Sequence, residues 1–98
     1  MTVSRALPAR FDVSARAEFP LVARARLAHQ IRQDMWRKLQ RLRGFCPAVR
    51  VTAQPGGVAV LAGGAVEGPI TDRARAQVGE LLADPALRDR WVRNARKR

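Results

Sequence analysis

Arginine dominates the chemistry available to this chain: seventeen of them, with two lysines, stand against eight acids and leave a net charge of +11 over 98 residues. A guanidinium presents a planar fork of N–H donors that holds phosphate oxygens in pairs, and it is more weakly hydrated than an ammonium, so pairing loses less solvation. Residues 20–50 carry Arg24, Arg26, Arg32, Arg37, Lys38, Arg41, Arg43 and Arg50 against Asp34 alone, a local +7. Residues 86–98 add +5, residues 51–85 hold −2 and residues 1–19 hold +1. Charge segregated in this way is the footprint of a phosphate-binding surface. The candidate nucleic-acid-binding residues are therefore Arg26, Arg32, Arg37, Lys38, Arg41 and Arg43 in the first basic segment, with Arg90, Arg93, Arg96 and Lys97 in the second.

Trp36 lies among these cations and has two readings: it stacks on a base or anchors a protein partner, or it covers the edge of the core. Trp91, in helical register with Leu87 and Ala95, reads as core. His29 is the only histidine, and no serine or cysteine is spaced to work with it as nucleophile and base. Cys46 is the only cysteine and reads as a small buried hydrophobe. No His/Cys/carboxylate cluster is spaced for a metal, and the glycine pairs at 56–57 and 63–64 match neither a Walker loop nor a dinucleotide fingerprint. The expectation is a non-enzyme with no catalytic residues, no metal and no cofactor.

The elements that would position these residues follow from periodicity. Residues 11–19 alternate apolar and polar, as a half-buried strand does, with a disordered arm as the competing reading. Leu27, Ile31, Met35, Leu39 and Leu42 fall on one face of a helix expected over residues 20–43, a rod of roughly 36 Å that starts at Pro20 and ends before a left-handed Gly44. Its exposed side carries Arg26, Arg37 and Arg41, with Arg32 and Arg43 flanking the apolar face. Val49 and Val51, then Val58 and Val60, bracket a turn at Gln54-Pro55-Gly56-Gly57 and predict a β-hairpin, with a bulge or bend at Gly63-Gly64. Thr71 caps one further helix, and Asp84-Pro85, an N-cap followed by proline at the first helical position, opens another.

The expected fold class is α+β: a long N-terminal basic amphipathic helix on a small antiparallel β-hairpin or three-stranded sheet, followed by two short C-terminal helices. Residues 1–98 form one domain, with 1–9 a flexible arm and 96–98 a fraying basic tail. The lone cysteine and the lack of a membrane span or secretory signal suggest a cytoplasmic protein without a membrane partner. The leading function is non-enzymatic nucleic-acid binding, DNA or RNA, by arginine–phosphate contacts from the first helix and the C-terminal basic helix. The alternative is a protein-interaction module, an adaptor or phage-type inhibitor, docking on an acidic surface of a larger complex. A third reading is a homodimer formed through the long helix.

Overall fold

Alternation in residues 11–19 does produce a strand: β2 (Val13–Phe19) turns Val13, Ala15, Ala17 and Phe19 to one side and the exposed Ser14, Arg16 and Glu18 to the other. The computed structural model describes residues 1–4 and 9–96. The remaining elements are β1 (Thr2–Ser4), α1 (Arg24–Leu39), β3 (Cys46–Gln54), β4 (Gly57–Ala65), α2 (Asp72–Ala83) and α3 (Pro85–Ala95). All four strands form one antiparallel sheet in the order β1-β3-β4-β2.

The α+β class matches expectation, and the arrangement differs from it in four respects. The sheet has four strands. Thr2–Ser4, assigned from the sequence to an arm, pair with Ala48–Arg50, and the Met1 ammonium donates to the Val51 carbonyl at 2.9 Å. The first helix runs over 24–39, about 24 Å. Because β2 continues to Phe19, Pro20–Ala23 are needed to carry the chain from sheet to helix, and the Ala23 N–H donates to Ala95 O instead of entering a helical turn. At the other end the chain leaves the helix by tight turns, Leu42 N–H to Leu39 O and Phe45 N–H to Leu42 O, before Gly44 adopts φ +66°. Arg41 and Arg43 thus lie in the connection after α1.

The hairpin closes through Pro55-Gly56, with Gly56 at φ +81°, the value required by the third position of a type II turn. Pairing continues unbroken through Gly63 and Gly64, so neither marks a bulge. Their role is close approach: a Cβ on Gly63 would fall 1.7 Å from the Val13 carbonyl oxygen.

All three helices lie on the side of the sheet that carries Val13, Phe19, Val49, Val51, Val58 and Val60. Helix α1 crosses β3 and packs Leu27, Ile31, Met35 and Leu39 into it, while α2 covers β2 through Val78, Leu81 and Leu82. Both C-terminal caps form as the sequence predicts. Thr71 Oγ1 accepts from Ala74 N–H at 3.0 Å, and Asp84 Oδ1 accepts from Ala86 and Leu87 N–H at 2.9 and 3.2 Å. Helix α3 packs on α1 and α2 and delivers Trp91 fully into the core, tilted against Phe19 with ring centroids 6.2 Å apart.

Candidate nucleic-acid interface

Where the exit from α1 passes the start of α2, the side chains of Arg37, Lys38, Arg41 and Arg73 line a cleft of about 580 Å³, completed by Gln40, Thr71 and Gln77 among others. The fold brings these cations together from two directions. The first three are close in sequence, and Arg73 arrives because the Thr71 cap begins α2 beside them. No carboxylate lines the cleft. Arg37 has a long contact to Asp34 at 3.7 Å, whereas Lys38, Arg41 and Arg73 make no ion pair among the described residues. With screening lengths near 8 Å at physiological salt, like charges gathered around one opening act on an approaching anion together.

The other arginines expected at the interface have different surroundings. Arg43 pairs with Glu67 at 3.4 Å, and Arg93 with Asp89 at 3.4 Å. Arg90 bonds to Asp34, whose same oxygen accepts the Trp91 indole N–H at 2.6 Å. Around that pair Gln30 donates to the Trp91 carbonyl and Asn94 donates to Gln30, each at 3.1 Å, so polar contacts join α3 to α1. Arg26 is exposed beside a shallow recess with His29 and Asn94. Arg96 is exposed as the cap residue of α3, and Lys97, with the end of the basic tail, lies outside the described residues.

Trp36 is 42% exposed on the opposite flank of α1 from Asp34. Its ring stacks on Phe45, 6° from parallel with centroids 6.4 Å apart, and the two form the wall of a recess of about 550 Å³ with His29, Arg32, Gln33 and Cys46. Arg32 Nε is buried there without a hydrogen-bond partner.

Two groups of residues escaped the sequence reading. Arg73 sits in a segment whose net charge is −2, so summing along the chain concealed it. Arg16 and Arg50 stand on the helix-free side of the sheet, both directly opposite Leu61. The period-two pattern could have found Arg16. Glu18 shares that face, and the Arg50 guanidinium lies over the Phe11 ring at 5.1 Å, so this side is less purely cationic than the cleft.

Among the described residues no group of His, Cys, Asp and Glu could hold a metal ion, and no helix is long and apolar enough to cross a membrane. The fold and the cleft define a small α+β domain with a concentrated cationic surface. No family model, curated protein or solved structure matches the chain.

Proposed function

We propose that this protein is a non-enzymatic nucleic-acid-binding domain that grips phosphates in the cleft between α1 and α2, with Arg37, Lys38, Arg41 and Arg73 as its donors. The observation that carries this reading is the acid-free lining of the cleft. Several arginines outside the cleft each face a carboxylate, Arg43 with Glu67, Arg75 with Asp72, Arg90 with Asp34 and Arg93 with Asp89, which lowers their pull on an outside anion. Other cations, Arg26 and Arg96 among them, would add longer-range attraction without setting the register. A cytoplasmic setting goes with this reading, supported by a cysteine that has no second thiol to pair with.

The test is a salt titration of binding to labelled oligonucleotides after nuclease treatment of the protein. Engagement of all four cations predicts that log affinity falls with log salt at a slope of about −3 to −4. Replacing Lys38, Arg41 and Arg73 together by Gln should reduce the slope by about 2–3 and weaken binding to every sequence alike. Affinity indifferent to salt, or no binding at about 50 mM salt, would sink the proposal.

A protein-interaction module is the second reading, and exposed Trp36 is the observation that favours it. Aromatic anchors with arginine at their margin are typical of interface hot spots. On that reading Trp36→Ala abolishes capture of an acidic partner, while added salt mainly slows association.

A further inference from the structure

We infer that the nucleic acid held by this domain is single-stranded and that one of its bases stacks on Trp36. This rests on the proposed function and adds a substrate class to it. Bases in a duplex are stacked on their neighbours and present only edges in the grooves, so a side chain can take a base on its face only where the strand is open.

Three observations converge. The indole is already oriented: Phe45, 6% exposed, lies nearly parallel to it and holds the ring, while much of Trp36 faces solvent. The same recess presents the polar groups of His29 and Gln33, both exposed, which suit the edge of a base. The third is proximity. Trp36 directly precedes Arg37, and Trp36, Arg37 and Arg41 are arranged around the last turn of α1 and its exit. The path from stacking face to phosphate cleft around a helix 10–12 Å across is on the order of 10 Å, within reach of a short oligonucleotide. Cationic groove beside aromatic platform is the arrangement by which proteins bind single strands with little sequence preference.

The experiment compares labelled single strands of about 12 nucleotides, DNA and RNA, with the matching duplex, using wild type, Trp36→Ala and Trp36→Phe. The expected result is tighter binding of the single strand and a loss of about tenfold to a hundredfold in Trp36→Ala, largely restored in Trp36→Phe. Duplex affinity and the salt slope should be the same in all three proteins. Tryptophan emission of the wild type should fall on binding the single strand, since Trp36 is exposed and Trp91 is buried. That readout needs no substitution and keeps the test decisive if Trp36→Ala fails to fold. Unchanged emission with equal affinity for single strand and duplex would overturn stacking and leave the phosphate cleft standing. Failure of every oligonucleotide to bind would overturn the cleft reading as well, leaving Trp36 as a protein anchor.

Discussion

At the contact between α1 and α3, Asp34 receives Arg90, Arg37 and the indole N–H of Trp91, whereas one turn further along α1, Lys38, with Arg41 from the connection that follows, meets Arg73 with no acid among them. The cations are of the same kind, and two of them, Arg37 and Lys38, are neighbours on one helix. A single carboxylate separates the two situations. The Asp34 side chain is 12% exposed, so its attraction is weakly screened, and with Trp91 it ties two helices together. The cleft's lining holds no carboxylate, and Lys38, Arg41 and Arg73, which make no ion pair among the described residues, remain available to an outside anion. On the proposed reading, what sets the cleft cations apart is the absence of a carboxylate among them, not the number of arginines.

Removing Asp34 should break this comparison with the largest effect. Asp34→Ala leaves the buried Trp91 N–H unpaired and Arg90 without its partner, which together should lower stability by about 2–3 kcal/mol, the charge contribution being reduced because Arg90 is partly exposed. Chemical denaturation measures the loss. Affinity for oligonucleotides should hold or increase in the same variant, because Arg37 and Arg90 are released. A variant as stable as wild type would show that the clamp is ornamental.

The converse change supplies the cleft with the acid it lacks. Gln77→Glu stands one turn after Arg73 on α2, where an i,i+4 pair contributes about 0.3–0.5 kcal/mol. Affinity should drop several-fold and the salt slope shallow by about one, with thermal stability unchanged or slightly higher. Undiminished affinity would place the phosphate contacts elsewhere on the molecule. Arg93→Gln, which breaks an exposed pair with Asp89, should change stability by no more than about 0.5 kcal/mol and affinity hardly at all. A large effect there would show that α3 contributes directly to binding.

The parts of this fold legible in the sequence are those set by neighbours along the chain. Thr71 caps a helix three residues ahead, Asp84 does so beside Pro85, and Pro55-Gly56 makes its turn unaided. What escaped depends on distant segments. Gly63 looks like a strand breaker until Val13 is seen pressing against it, and Thr2–Ser4 carry no strand signal of their own but find an edge on β3. The start of α1 moved because β2 occupies the residues just before Pro20. The candidate site divides in the same way. Arg37, Lys38 and Arg41 were readable from one helix and its exit, whereas Arg73 needed the packing of α2 to bring it there. The Arg37–Asp34 and Arg93–Asp89 pairs are local, at i,i+3 and i,i+4. The partners of Arg43 and Arg90 are far off in sequence, so the sequence could not show that they were already paired.

The strand order imposes a timetable on folding. The central pair, β3 and β4, is a hairpin joined by two residues and can close in about 1–10 μs, but both outer strands come from the N-terminal end of the chain and find their partners roughly 40–50 residues later. Pairings of such long range place a small domain toward the slower, millisecond-to-second end of folding rates. During synthesis β1 and β2 leave the ribosome with nothing to pair against until the hairpin has followed them out, so strands made before the hairpin become ordered after it.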